Sequence, residues 1–140
     1  MIYFLDASAL AKRYLLEAGT DRVRQLFRRN ADIAVSRLSE VEVTSALVRR
    51  ANAGDIDPDD MEAHLRALAD DLASCDVVEI RRPVVTKAKE LVQAHALRAY
   101  DAMQLAAALR VKGSTALTFM CADGELCDAA AAERLRLVRL

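Results

Sequence analysis

The chain has 140 residues, a length that predicts one domain spanning 1–140 with a core of its own. Because 54% of the residues are hydrophobic, a disordered chain is excluded, and no apolar run approaches the roughly 18 residues that a membrane span needs. With 20 basic and 21 acidic residues the formal net charge is −1, which counts against a protein that binds nucleic acid tightly through bulk charge.

Short apolar runs alternate with segments of helical periodicity along the whole chain. In chain order, the pattern predicts a strand at 1–5, helices at 8–17 and 21–29, a strand at 31–35 and a helix at 39–51. It then predicts a helix opened by Asp57 and Pro58, a strand at 77–80, helices at 83–95 and 100–112, a strand at 115–120, a helix at 124–134 and an edge strand at 135–140.

Strands that are separated by helical crossovers pair in parallel with right-handed connections. The predicted fold is therefore an α/β protein, a three-layer α/β/α sandwich with a parallel sheet of about five strands. In such a fold the carboxyl ends of the strands meet at one crevice, where ligands bind.

Four isolated acidic residues stand where an apolar run gives way to a helical pattern. They are Asp6, Glu42, Asp101 and Asp123. If they converge, two carboxylates about 5 Å apart repel each other by about 3 kcal/mol at an effective dielectric of 20. Such a cluster needs neutralisation, and its hard oxygen ligands suit Mg²⁺ or Mn²⁺.

Helix capping is the alternative interpretation of each acid. Asp6 and Asp123 are each placed to cap the following helix, although Ser8 is as good a cap as Asp6. Ser39 and Glu42 have the spacing of a capping box, and Glu40 competes with Glu42 as a ligand.

Asp101 shares a predicted helix face with Leu105, Ala108 and Leu109, so its carboxylate is expected to point toward the core. A buried carboxylate must be paired or bound to a metal. Capping, with Gln104 three residues later, stays open as the alternative.

The three cysteines, Cys75, Cys121 and Cys127, have no CxxC spacing, and His64 and His95 are far apart. Reduced thiols and no zinc site are expected. The first apolar run has no basic lead and ends at an acid, so no signal peptide is predicted and the expected location is the cytoplasm.

Acidic residues also cluster at 55–60, but a calcium-binding loop is excluded there. Counted from Asp55, the loop would need Gly at Asp60 and Glu at Arg66. Arginines cluster at 22–29, at Arg49 and Arg50, and at Arg81 and Arg82. We expect the last four to steer RNA phosphates, with a solvated helix face as the alternative.

The order and spacing of four short segments resemble the PIN-domain ribonucleases, and among them the VapC toxins of bacterial VapBC toxin–antitoxin pairs. The segments are Asp6-Ala7-Ser8-Ala9-Leu10, Ser36-Arg37-Leu38 with Glu42-Val43 and Ala46-Leu47, Leu97-Arg98-Ala99-Tyr100-Asp101-Ala102, and Phe119-Met120-Cys121-Ala122-Asp123. The resemblance covers essentially the whole chain.

The resemblance implies a metal-dependent endoribonuclease, a homodimer and inhibition by a VapB-like antitoxin. It makes Asp6, Glu42, Asp101 and Asp123 the catalytic metal ligands, favours Glu42 over Glu40, and makes Ser8 a supporting hydroxyl. Cys121 departs from the family, which often has Ser or Thr there; the supporting hydrogen bond is therefore expected to be weaker.

No Ser-His-Asp or Cys-His set is visible, which favours hydrolysis by a metal-activated water and products with 5′-phosphate and 3′-hydroxyl ends. Three alternatives stay open: a PIN nuclease of RNA maturation, a module that binds RNA or a partner without cleaving, and an aspartyl phosphotransferase or receiver domain.

Overall fold

The computed structural model describes residues 1–113 and 115–140, and in them five strands form one parallel sheet. The strands are β1 (Ile2–Leu5), β2 (Ile33–Ser36), β3 (Asp76–Val78), β4 (Leu117–Cys121) and β5 (Arg136–Arg139). Their spatial order is β3-β2-β1-β4-β5. The parallel five-stranded sheet and the edge position of the last strand are confirmed.

Seven helices connect the strands in the described part of the chain. They are α1 (Ala7–Ala11), α2 (Thr20–Arg28), α3 (Leu38–Asn52), α4 (Pro58–Ser74), α5 (Arg82–His95), α6 (Ala99–Lys112) and α7 (Gly124–Ala132). Asp57 caps α4 as predicted, because its side chain accepts a hydrogen bond from the Asp59 amide at 2.8 Å.

The sheet separates two hydrophobic layers. Phe4 of β1 packs with α5, α6 and α7 on one face. Its ring stacks on that of Phe119, with 5.7 Å between the ring centroids. Its neighbour Leu5 faces the opposite side and packs with α1 to α4. Alternate residues of one buried strand therefore fill both layers, which confirms the three-layer α/β/α sandwich.

The strand register places several strand ends at one edge. Leu5, the last residue of β1, pairs with Val35 of β2 and with Met120 of β4. The residues that follow β1 and β4 therefore emerge side by side at the carboxyl edge of the sheet.

The helix predicted at 8–17 was too long, since α1 ends at Ala11. The following segment is held by local side-chain hydrogen bonds instead: the Thr20 hydroxyl donates to the Leu15 carbonyl at 2.7 Å and accepts from the Glu17 amide at 3.0 Å. Gly19 then takes φ +88°, a left-handed conformation that favours glycine.

The prediction that Ser39 caps α3 in a capping box was wrong. The helix α3 begins one residue earlier, after Arg37, and the first amide of the helix, that of Leu38, donates to the Ser36 hydroxyl at 3.1 Å. Ser39 lies inside the first turn with no exposed surface, because its hydroxyl accepts a hydrogen bond from Gln104 of α6.

The reduced state expected for the three thiols stays a prediction, and Cys121 and Cys127 are neighbours in the structure. Their Cα atoms lie 6.3 Å apart, a separation that disulfides span. Cys75 is free and half-buried. None of the helices in residues 1–113 and 115–140 combines the length and the apolar character that crossing a lipid bilayer requires.

Candidate active site

Asp6 lies between β1 and α1 and is almost fully buried, with 3% of its surface exposed. Its Oδ1 accepts hydrogen bonds from the Ala9 amide and from the Ser8 hydroxyl, both at 2.8 Å. The pKa of the Asp6 carboxyl is raised to about 7, mainly by burial, with smaller contributions from the charges of Glu42 and Asp101. The hydrogen bonds from Ala9 and Ser8 oppose this rise. This carboxylate thus lacks a compensating cation in the described residues.

Ser8 links two strand ends. Its hydroxyl donates to both oxygens of Asp6, at 2.8 and 2.9 Å, and accepts from the Ala122 amide at 3.0 Å. Since Ala122 follows β4 directly, this one side chain ties the orientation of Asp6 to the neighbouring strand.

Glu42 is half-buried on α3 and accepts a hydrogen bond from the Gln104 side-chain amide at 3.0 Å. Burial raises the pKa of the Glu42 carboxyl, Gln104 opposes the rise, and the Asp101 charge adds to it. Glu40 is exposed and pairs with Arg37 at 2.8 Å instead. The two glutamates therefore lie on different faces of α3.

Gln104 is buried at 1% exposure, and its amide also donates to Ser39 at 2.9 Å. The opposite end of that amide, Oε1, is buried without a hydrogen-bond partner in the described residues. A buried polar atom without a partner is costly.

Asp101 is the third residue of α6, with 17% of its side chain exposed. The expected core-facing direction was wrong: the carboxylate faces the crevice, where it meets Arg98 at 3.2 Å. The capping alternative is also wrong, because Arg98 is the N-cap residue of α6. Burial and the nearby Asp123 raise the pKa of Asp101, and Arg98 opposes that rise.

Asp123 follows β4 and caps α7, where its Oδ1 accepts from the Leu126 amide at 2.9 Å. Its Oδ2 meets the Arg98 guanidinium at 3.1 Å. Arg98, whose side chain is 73% exposed, thus bridges Asp101 and Asp123. The charge of Asp101 raises the pKa of Arg98, which keeps this cation charged.

The donor set fits a divalent cation. Four carboxylates share one region with a single bridging guanidinium, and Asp6, Glu42 and Asp101 each have a raised pKa to which another acid of the set contributes. In residues 1–113 and 115–140 no three His, Cys, Asp or Glu side chains already stand as the ligands of one ion. Arg98 contacts one oxygen of each of Asp101 and Asp123.

The four predicted RNA-steering arginines separate into two pairs. Arg49 lines a cavity of about 520 Å³ with Glu42 and Asp101. Arg49 and Arg50 line an adjacent cavity, and Arg50 pairs with Glu17 at 3.1 Å. Arg81 and Arg82 lie at the start of α5, after the edge strand β3, and line neither cavity.

Sequence reasoning missed Arg98 as a partner of the acids and Gln104 as a partner of Glu42. A signal for Gln104 exists, since it is the only polar residue among the buried positions 102–108 of α6. Arg98 gives no such signal, because an exposed arginine before a helix is common. Cys121, predicted as a supporting residue, lies beside Cys127, and its thiol donates to the Asp123 carbonyl at 3.4 Å. The Asp123 carboxylate is held by Leu126 and Arg98.

Comparison with known proteins places this geometry in a family. The family model for the PIN domain matches residues 3–131. Ribonuclease VapC45 of Mycobacterium tuberculosis (strain CDC 1551 / Oshkosh) is 37% identical over 112 residues, which are 79% of this chain and 76% of that relative.

Two solved structures share the fold. VapC20 of Mycobacterium tuberculosis, a sarcin–ricin loop cleaving toxin, superposes with a TM-score of 0.69 at 21% identity and covers 99% of both chains. A chain of a toxin–antitoxin complex from Klebsiella pneumoniae superposes with a TM-score of 0.67 at 16% identity, covering 97% of this chain and 95% of that one.

Proposed function

Because the chain belongs to the PIN-domain family, we propose that it is a metal-dependent endoribonuclease and the toxin of a toxin–antitoxin pair. The observation that carries the proposal is the buried Asp6, which shares the carboxyl edge of the sheet with Glu42, Asp101 and Asp123. The ribonuclease name of the relative that is 37% identical supports the choice of reaction.

Asp6, Glu42, Asp101 and Asp123 would hold the cation, for which Mg²⁺ or Mn²⁺ suits the all-carboxylate set. When bound, such an ion supplies a water of lowered pKa and neutralises charge on the phosphate. Hydrolysis of this kind predicts products with 5′-phosphate and 3′-hydroxyl ends.

The remaining residues orient and balance these acids. Ser8 holds Asp6 by its hydroxyl and Gln104 holds Glu42 by its amide. Arg98 neutralises Asp101 and Asp123 in the absence of a cation. Once the two aspartates bind a metal cation, Arg98 becomes free to contact a phosphate. Arg49 and Arg50 line the two adjacent cavities, where arginine forks suit the RNA backbone.

Histidine acid–base chemistry is disfavoured by the positions of the two histidines. His95 pairs with Glu133 at 2.8 Å, and the His64 ring packs beside Tyr14 with 6.2 Å between ring centroids. Neither lines the cavity that contains Glu42 and Asp101.

A VapB-like antitoxin and a second copy of the chain are the proposed protein partners, acting in the cytoplasm. The Klebsiella pneumoniae structure, a complex of a toxin with its antitoxin, supports the first. The contact of Arg98 with Asp101 and Asp123 indicates how an antitoxin could inhibit, since an arginine from a partner would fit the same carboxylates.

The test is incubation of the purified protein with total RNA in Mg²⁺ or Mn²⁺, with an EDTA control and the Asp6→Asn variant. We expect discrete cuts with 5′-phosphate ends, lost in both controls. Cuts that persist in EDTA, or that leave 2′,3′-cyclic phosphates, would contradict the mechanism.

A further inference from the structure

One aromatic side chain of the protein is strongly exposed, and it lies at the proposed active site. Tyr100 is 65% exposed, whereas the other five aromatic side chains are buried or half-buried. It directly precedes Asp101 in the first turn of α6. In the described residues its hydroxyl has no hydrogen-bond partner among the side chains and backbone.

Tyr100 lines the cavity of about 520 Å³ that also contains Glu42 and Asp101. Pockets of roughly 300 to 1,000 Å³ hold small organic groups. Two apolar residues of α3 also line the cavity, Leu38 and Val41, and Val41 is 67% exposed. An apolar surface and two of the four acids therefore share one opening.

Two guanidinium groups also line this cavity. Arg49 and Arg98 both line it, and Arg49 has no acidic partner in the part of the chain that the structure describes. Apolar surface beside the Arg49 guanidinium matches a nucleotide, which has a flat base and an anionic phosphate. It matches an apolar protein surface less well, since that surface would bury Arg49 without a partner.

We propose that this cavity is a base-binding subsite in which the base of a nucleotide next to the scissile phosphate stacks on the Tyr100 ring. The proposal rests on the ribonuclease function proposed above. Val41 contacts the same base, and Arg49 contacts the adjoining phosphate. Stacking tolerates any base, so Tyr100 selects an unstacked, single-stranded nucleotide at the cleavage point rather than a sequence.

The test measures RNA binding without cleavage. A single-stranded 12-nucleotide RNA containing one 2-aminopurine is titrated with the protein in Ca²⁺, and gels verify that the RNA stays intact. Fluorescence quenching reports stacking, and anisotropy reports affinity. The variants are Tyr100→Ala, Tyr100→Leu and Tyr100→Phe, with Val92→Ala as a control, because Val92 is an exposed apolar residue of α5 outside the cavity.

We expect the wild type and Tyr100→Phe to bind alike and to quench the fluorescence. Tyr100→Ala and Tyr100→Leu should bind about 5- to 100-fold more weakly and lose the quenching, since stacking on one aromatic ring is worth that much. Val92→Ala should match the wild type. Mn²⁺ affinity should be unchanged in all four variants.

Two results would overturn the subsite: equal affinity and quenching in Tyr100→Ala, or a changed oligomeric state of Tyr100→Ala on gel filtration with RNA binding intact. The second would assign Tyr100 to a protein interface. Either result together with RNA cuts by the wild type leaves the ribonuclease function standing. Tyr100-dependent quenching without any cleavage in Mg²⁺ or Mn²⁺ would support the subsite and contradict the ribonuclease.

Discussion

Asp6 and Asp57 each begin a helix with a side-chain hydrogen bond of 2.8 Å to a backbone amide, but their surroundings differ. Asp57 is exposed at the start of α4, and the next acids, Asp59 and Asp60, are exposed as well. Asp6 is 3% exposed and is influenced by the charges of Glu42 and Asp101. Water screens the first group of charges, whereas burial prevents screening of the second.

The difference shows that capping and ligand binding are not alternatives for a carboxylate. Asp123 uses Oδ1 to cap α7 and leaves Oδ2 for Arg98. A carboxylate has two oxygens, so one can fix the side chain while the other faces the crevice. What distinguishes a site acid from a simple cap is burial next to other acids.

The largest expected effect is on RNA cleavage. Asp6→Asn should reduce the cleavage rate by roughly 10²- to 10⁴-fold, a range typical for loss of a group that acts at the reacting centre. Asparagine caps helices as well as aspartate does, so α1 should persist. Asp57→Asn is the matched control and should cleave like the wild type. An equal loss of cleavage rate in both variants would contradict the claim that Asp6, but not Asp57, belongs to the site.

The next effect is on stability and its pH dependence. The Asp6 carboxyl has a pKa of about 7 in the folded chain and an ordinary value of 3.8. Between these values the folded state keeps a proton that the unfolded state has lost, so stability falls as pH rises through this window. Metal-free wild type should lose roughly 2 to 3 kcal/mol between pH 5 and pH 8 from this group.

Urea unfolding in EDTA at the two pH values measures this change. Asp6→Asn should remove most of it and be more stable than the wild type at pH 8, whereas Asp57→Asn should behave like the wild type. Wild-type stability that rises from pH 5 to pH 8 would contradict the account of Asp6.

A smaller effect is expected at Ser8, which orients Asp6 and contacts Ala122. Ser8→Ala should weaken Mn²⁺ binding about 10- to 100-fold, as loss of a group that orients a metal ligand does. Ser74→Ala is the control, because Ser74 is exposed and its hydroxyl bonds only the Asp71 carbonyl in the described residues. Equal Mn²⁺ affinity in both variants would remove Ser8 from the site.

The smallest effect is expected at the simple cap. Asp57→Ala should lower the free energy of unfolding by about 1 kcal/mol, the usual cost of losing an N-cap side chain. Mn²⁺ affinity should not change, as calorimetry would verify. A loss of Mn²⁺ binding in this variant would place the surface acids in the site.

Local patterns predicted the fold well, because buried strands and amphipathic helices depend on residues that are near in sequence. One failure lies where a distant residue intervenes. The Ser39 hydroxyl accepts a hydrogen bond from Gln104, which lies 65 residues away in the sequence. Ser39 is therefore not the cap of α3 that the capping-box pattern predicted.

The candidate site was predictable as a set of acids at strand ends, and their role as metal ligands stays a prediction. The bridge made by Arg98 was not predictable, since it includes Asp123, which lies 25 residues away in the sequence. The proximity of Cys121 and Cys127 was missed because six residues of separation give no recognised motif.

The most direct test of the central claim is calorimetric titration of Mn²⁺ into the wild type and four single variants, Asp6→Asn, Glu42→Gln, Asp101→Asn and Asp123→Asn, with Asp57→Asn as the control. If the four acids form one cation site, the wild type and the control bind alike and each of the four variants weakens that same binding at least about tenfold. Binding that is unchanged in the four variants, or lost equally in Asp57→Asn, would contradict the claim that these four carboxylates form the metal site.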